Sequence, residues 1–90
     1  MKWIWDRVPR NVLLLLNNWK SPLTIVELSK LSNSQYSSVL KAIKKLEESG
    51  FVETEKRGRV RIVWLTDFGK KVSNLFKRID KMIEKKNKAG

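Results

Sequence analysis

The sequence predicts an α+β fold that is mostly α-helical and forms one domain, as expected for 90 residues. The spacing of the apolar residues carries this prediction because it changes twice along the chain. Apolar residues recur three or four positions apart over residues 10–49 and again over residues 67–84, as on one face of an α-helix. Between these stretches, residues 51–65 alternate and are rich in β-branched side chains, which indicates a β-hairpin. The expected order is three helices, a hairpin and a long helix.

The first predicted helix spans Arg10 to Trp19, with Pro9 in its first turn, where the missing N–H leaves no intrahelical hydrogen bond unmade. Its apolar arc is wide, which indicates burial on more than one side. Upstream, Trp3 and Trp5 lie so close to the terminus that they are expected to pack on the domain or on a partner chain.

Residues 24–50 predict two short helices joined by a tight turn. Thr24 and Glu27 have the spacing of a capping box at the start of the second helix. Asn33 fits the turn because asparagine tolerates the left-handed backbone region. The third helix is expected to begin at residue 34 or 35 and to end before Gly50. Its core-facing stripe consists of Val39, Ala42, Ile43 and Leu46.

The hairpin is predicted over residues 51–65, with Arg57-Gly58-Arg59 as its turn. The apolar residues at even positions from Val60 to Trp64 favour burial of one face, whereas Val63 and Leu65 favour the other. The pattern leaves open which of the two faces is buried.

The last predicted helix begins at Thr66-Asp67, where a hydroxyl cap precedes an acid in the first turn. Its apolar residues then recur at spacings of three and four over roughly two heptads, the a/d pattern of a coiled coil. A seam this regular at a chain end is more typical of a partner-facing surface than of a monomer core, so a homodimer is expected. The predicted dimer interface consists of Trp3, Trp5, Val72, Leu75, Phe76, Ile79, Met82 and Ile83.

The net charge of +11, from 20 basic and 9 acidic residues, favours a polyanionic partner, with nucleic acid ahead of an anionic membrane. The alternative is a Lys-rich, solvated surface. Because the chain has no histidine and no cysteine, we predict no enzyme, no metal and no cofactor. The longest apolar run, residues 12–16, is far below the ~20 residues of a membrane span. A cytoplasmic protein is expected, in the host cytoplasm if a virus or plasmid encodes it.

The order of elements, with its helix-turn-helix, resembles the winged helix-turn-helix transcription regulators, namely MarR-like and small archaeal or archaeal-virus proteins. Residues 46–52, LEESGFV, are similar to the Leu-Glu-x-x-Gly-Leu-Val signature that joins a recognition helix to a wing. Residues 65–70, LTDFGK, are similar to the Leu-Thr-x-x-Gly-Lys/Arg segment that opens the dimerisation helix. The resemblance covers about residues 10–72.

This resemblance implies a three-helix core, a β-hairpin wing and a C-terminal dimerisation helix. It assigns residues 1–66 to a DNA-binding domain, with the recognition helix at about 34–49 and the wing at about 51–65. Residues 67–90 become the dimerisation helix and a basic tail. MarR-like proteins have a fuller N-terminal helix that helps to build a ligand crevice, and this chain has only the Trp3–Trp5 segment in its place. No small-molecule effector is therefore predicted.

The third helix is expected to enter the major groove of duplex DNA, and the wing to contact the minor groove or the phosphates. The predicted contacts are Gln35, Tyr36, Ser37, Ser38, Lys41 and Lys45 of the helix and Lys56, Arg57, Gly58, Arg59 and Arg61 of the wing. Each has a plainer alternative: a helix cap for Gln35, packing on the second helix for Tyr36, and solvated charge for the cations. Leu40, beside this face, is expected to cover the edge of the core, and contact with a thymine methyl is the alternative.

The predicted function is sequence-specific binding of double-stranded DNA by a homodimeric transcription regulator, with repression as the expected direction. Two alternatives stay open. A winged-helix subunit for protein–protein interaction is motivated by the tryptophans and the C-terminal seam. An architectural protein that binds DNA without sequence preference is compatible with the same basic wing.

Overall fold

Four α-helices and a three-stranded antiparallel sheet make up the structure, a computed structural model that describes residues 2–20 and 22–89, the side chains of residues 88 and 89 excepted. In chain order the elements are a 3-10 turn (Lys2–Trp5), α1 (Arg7–Trp19), β1 (Leu23–Thr24), α2 (Ile25–Leu31), α3 (Tyr36–Glu48), β2 (Val52–Arg57), β3 (Val60–Leu65) and α4 (Asp67–Ala89). The predicted α+β class is confirmed. Helix α1 begins three residues earlier than predicted, with Pro9 still in its first turn.

The local signals of the sequence place the start of α2 and the turns on either side of α3 as expected, although α3 begins at Tyr36, just after the predicted start at residue 34 or 35. The capping box of α2 is present: the backbone N–H of Thr24 donates to Glu27 Oε1 at 2.9 Å, and the N–H of Glu27 donates to Thr24 Oγ1 at 3.1 Å. Asn33 adopts φ 51° in the turn before α3, and Gly50 adopts φ 83° after it. These left-handed residues reverse the chain on either side of α3.

The sheet has the strand order β1-β3-β2, so β3 lies in the middle. Leu23 pairs with Val63 and Thr24 with Ile62. The sequence predicted a hairpin alone, because two residues are too few to show the alternation of a strand. Strand β1 therefore ties the start of α2 to the hairpin and holds the helix-turn-helix against the wing.

The buried face of the hairpin is the one that carries Val52, Val63 and Leu65. Val52 pairs across the strands with Leu65, and these side chains lie in the same core as the inner faces of α1, α2 and α3. The opposite face, with Ile62 and Trp64, is only partly buried. Leu40 of α3 is partly buried against the core edge, as expected.

Helix α4 packs along α1 through two side-chain hydrogen bonds. The buried Ser73 Oγ donates to the Leu13 carbonyl at 3.1 Å, and Asn17 Nδ2 donates to Asn74 Oδ1 at 2.8 Å. This contact turns Phe76 into the protein's own core, where it is 5% exposed.

The placement of Phe76 corrects the interface predicted from the sequence. The residue follows the seam spacing, but its side chain is covered by its own chain and offers a partner almost no surface. Val72 is partly buried against the same core. The apolar side chains of α4 that remain exposed are Phe68, Leu75, Ile79, Met82 and Ile83.

The two N-terminal tryptophans pack on aromatic rings of their own chain. Trp3 is half-buried and meets Phe51 edge-on, with ring centroids 6.2 Å apart. Trp5 meets Phe76 edge-on at 5.2 Å but remains 58% exposed. Trp3 therefore belongs largely to the domain, whereas Trp5 keeps surface that a partner could cover.

Candidate nucleic-acid interface

Helix α3 presents a polar strip on the side opposite its buried stripe. At 100° per residue, Ser37, Ser38, Lys41 and Lys45 fall within an arc of about 100°, and all four side chains are exposed. Among the described residues, none of the four makes a hydrogen bond to another side chain or to the backbone. Lys45 Nζ lies 5.9 Å from the ring centroid of Trp3, a cation–π contact that orients it.

The two other predicted contacts of α3 lie at its N-terminal end. Gln35 is the N-cap residue, with extended backbone at φ −66° and ψ 144°, but its side chain makes no capping hydrogen bond. Tyr36 is exposed and does not bury its ring against α2. Both side chains are therefore available at the end of α3 that follows the helix-turn-helix turn.

The cations of the wing divide between its two faces. Residues paired across adjacent strands point to the same side of a sheet. Lys56 pairs with Arg61, and both lie on the face that carries Val63, which is the face that covers α3. Arg57 pairs with Val60 on the opposite face. Arg59 lies with Gly58 in the turn between them, where Gly58 has φ 60°.

The hydrogen bonds of the wing distinguish its arginines further. Arg57 Nε donates to Glu55 Oε2 at 3.1 Å, and Arg57 Nη2 lies 3.1 Å from the same oxygen, in an exposed ion pair. Arg61 Nη1 donates to Thr54 Oγ1 at 2.9 Å, and that hydroxyl donates to Glu47 Oε2 at 2.8 Å. Arg57 is thus partly neutralised, whereas Arg61 is held by a neutral group.

Thr54 and Glu47 are residues of this site that sequence reasoning missed. The sequence pattern indicated no role for Glu47 and placed Thr54 only within the predicted hairpin. The signal that could have found Thr54 is its alternation with Lys56 on β2, but it becomes informative only once the register with Arg61 is known.

A groove of about 670 Å³ lies behind the wing, on the hairpin face away from α3. Apolar Leu16, Ile62 and Trp64 line it together with the cations Lys20 and Lys70. Its volume is within the range of small-molecule sites. The expectation that no effector binds stays a prediction.

No cluster of three or more His, Cys, Asp or Glu side chains in residues 2–20 and 22–89 could hold a metal ion. None of the helices described is both long and apolar enough to cross a membrane.

Comparisons with known proteins identify the family. The model of the DUF6293 C-terminal winged helix domain matches residues 26–77, more than half of the chain. An uncharacterised protein of Archaeoglobus fulgidus is 44% identical over 52 residues, which are 58% of this chain and 55% of that protein. The match thus spans about half the length of this relative.

Solved structures show the same fold. The AF1382 protein of Archaeoglobus fulgidus superposes with a TM-score of 0.84 and 30% identity, over 92% of this chain and 94% of that one. The MarR family transcriptional regulator SPO1453 of Silicibacter pomeroyi gives 0.79 and 25%, over 90% of this chain and 58% of its own. The adhesin competence repressor AdcR of Streptococcus pyogenes gives 0.78 and 25%, over 93% and 63%. The chain belongs to the DUF6293 C-terminal winged helix domain family and has the fold of the MarR-family transcription regulators.

Proposed function

We propose that this protein is a transcription regulator, acting as a repressor, that binds specific sequences of double-stranded DNA as a homodimer. The observation that carries the proposal is the exposed strip of α3 beside a wing whose Lys56 and Arg61 lie on the α3 side. Two solved structures of similar fold are described as a transcriptional regulator and a repressor. The net charge of +11 favours the same kind of partner.

In this proposal the two parts of the interface have different roles. Serines of α3 can hydrogen-bond to most base edges, and Lys41 can reach guanine or a phosphate from the major groove. Gln35 can pair bidentately with adenine. Arg59 at the wing tip suits a narrow minor groove or the phosphates that flank it. Selectivity then comes from α3, and much of the affinity comes from the wing.

Homodimerisation is proposed through α4. In this division residues 1–66 bind DNA, and the helix from residue 67 onward pairs with a second copy. The exposed residues of α4 named above, from Phe68 to Ile83, form an apolar seam on a helix that is otherwise strongly basic. A two-fold axis would place two α3 helices about one helical turn of DNA apart.

The association constant for duplex DNA is expected to fall steeply as salt rises, because binding releases counterions from neutralised phosphates. Arg59→Ala should lower the slope of log K against log salt by about 1. Fluorescence anisotropy of a labelled duplex at increasing KCl measures both quantities. Arg7→Ala is the matched control, since Arg7 is an exposed cation of α1 and belongs neither to α3 nor to the wing. Duplex binding whose affinity changes neither with salt nor with Arg59→Ala would contradict the proposal.

Selection of bound duplexes from a random pool is expected to enrich a pseudo-palindromic motif with half-sites about 10 base pairs apart, centre to centre. The dimer symmetry is the physical reason for the repeat. Binding without enrichment would instead identify an architectural protein. If the protein does not bind duplex DNA but forms a stable complex with another protein, it would instead be a winged-helix subunit for protein–protein interaction.

A further inference from the structure

A relay of three side chains, Glu47, Thr54 and Arg61, connects the wing to the last turn of α3. Arg61 Nη1 donates to Thr54 Oγ1 at 2.9 Å, and Thr54 Oγ1 donates to Glu47 Oε2 at 2.8 Å. A threonine hydroxyl has one hydrogen to donate and can accept a bond at the same time. A cation on its accepting side and an anion on its donating side polarise both bonds in the same direction.

The register of the hairpin makes this relay possible. Thr54 pairs with Val63, and Arg61 pairs with Lys56, so Thr54 and Arg61 are diagonal neighbours on the same face. A long side chain spans that diagonal distance. The β-branched Thr54 has few rotamers to choose from, which fixes the direction of its hydroxyl. Glu47 reaches the same hydroxyl from α3.

The relay orients Arg61 without using up its binding capacity. A guanidinium has five N–H donors, and the relay engages one of them. Among the described side chains, Arg57 forms an ion pair with Glu55, whereas Arg61 has no carboxylate within salt-bridge distance. The carboxylate of Glu47 acts on Arg61 through the hydroxyl of Thr54. Arg61 therefore stays a free cation whose position is set relative to α3.

We propose that Glu47 and Thr54 are positioning residues, which hold Arg61 for contact with a DNA phosphate beside the major groove that α3 enters. The inference rests on the proposed function and specifies which wing cation acts in register with α3. An arginine already ordered in the free protein loses less rotamer entropy on binding, so the same contact yields higher affinity. The proposed contact itself belongs to Arg61.

Thr54→Val tests the relay, because valine keeps the shape and strand preference of threonine and removes only the hydroxyl. We expect duplex affinity to fall about threefold to tenfold, the size of one to two hydrogen bonds, with an unchanged circular dichroism spectrum and Tm. In an Arg61→Ala background the same substitution should have no further effect. Thr54→Ser, which restores the hydroxyl, should recover affinity. A merely structural role would act in both backgrounds.

A carboxylate pair in one helix turn supplies the matched control. Glu47→Gln and Glu48→Gln remove the same charge one residue apart, and Glu48 makes no side-chain hydrogen bond among the residues described. Glu47→Gln should bind duplex DNA more weakly than Glu48→Gln. Wild-type-like binding by Thr54→Val, or an equal loss in both backgrounds, would overturn the relay alone. Failure of the wild-type protein to bind any duplex would overturn the proposed function together with it.

Discussion

Replacement of Leu75 and Ile79 together by glutamine is expected to convert the proposed dimer to a monomer and to weaken the proposed DNA binding about 100-fold. The two side chains are 54% and 39% exposed on α4, so they contribute little to the core of their own chain. Buried between two helices, they would contribute much of the apolar area that drives association. Glutamine has a helix propensity close to that of leucine and leaves the net charge unchanged.

The loss of affinity follows from the geometry of two-site binding. A dimer that has placed one α3 in the groove holds the second at a high effective concentration, whereas a monomer must bind each half-site separately. The double variant should therefore bind the full site selected from the random pool no more tightly than one half-site. Its affinity for an isolated half-site should match that of the wild-type protein.

Sedimentation equilibrium measures the change in mass, and anisotropy with full-site and half-site duplexes measures the change in affinity. Trp19→Gln is the control, because Trp19 is an equally exposed apolar side chain outside α4. It should leave the oligomeric state unchanged. A double variant that still sediments as a dimer would show that the interface lies elsewhere. Phe76 is unsuitable for this test, since its burial would confound association with folding.

Gly69→Ala is expected to lower the free energy of unfolding by about 3 kcal/mol, and the Tm by roughly 15 °C. Glycine to alanine inside a helix ordinarily stabilises, by about 1 kcal/mol. Here the sign reverses because a Cβ at Gly69 would lie 2.0 Å from the carbonyl oxygen of Phe51.

That carbonyl cannot easily move away. It accepts a hydrogen bond from the backbone N–H of Thr66 at 3.1 Å, and the Thr66 hydroxyl oxygen also lies 3.1 Å from it. The same hydroxyl accepts from the N–H of Gly69 at 3.0 Å and donates to the carbonyl of Gly50 at 2.6 Å. The two signature segments of the sequence thus meet at one joint, where the end of α3 contacts the start of α4.

Denaturant unfolding followed by circular dichroism measures the effect. Gly50→Ala is the comparison, because its Cβ would meet nothing within 4 Å although φ is 83°. Its cost should be the smaller one, about 1 kcal/mol of left-handed backbone strain. A Gly69→Ala protein as stable as the wild type would show that the joint between α3 and α4 accommodates the extra methyl group without loss of stability.

Local signals were sufficient to predict most of the elements. The capping residues Thr24 and Glu27, the left-handed Asn33 and the turn at Gly58 act within a few residues of chain, and the structure shows each as predicted. The helical spacing of α3 correctly predicted its buried stripe. These features depend on neighbours in sequence, so the sequence alone determines them.

The polar side of the interface could be predicted only in part. The sequence identified a basic wing, but alternation at period two leaves both faces of a hairpin equivalent until a partner surface covers one. The division of Lys56 and Arg61 from Arg57 follows from that burial, and so does the relay through Thr54. Neither could be read from charge and spacing.

The sequence by itself determined the helices, the hairpin with its basic turn, and a charge suited to nucleic acid. The tertiary structure alone decided that Val63 faces the core, that β1 joins the sheet, and that Phe76 leaves the seam for the interior. Each of these outcomes depends on contacts between residues far apart in the chain. A periodic pattern records that a side chain is apolar, whereas the packing of α1 against α4 decides which apolar side chains the protein buries and which remain exposed.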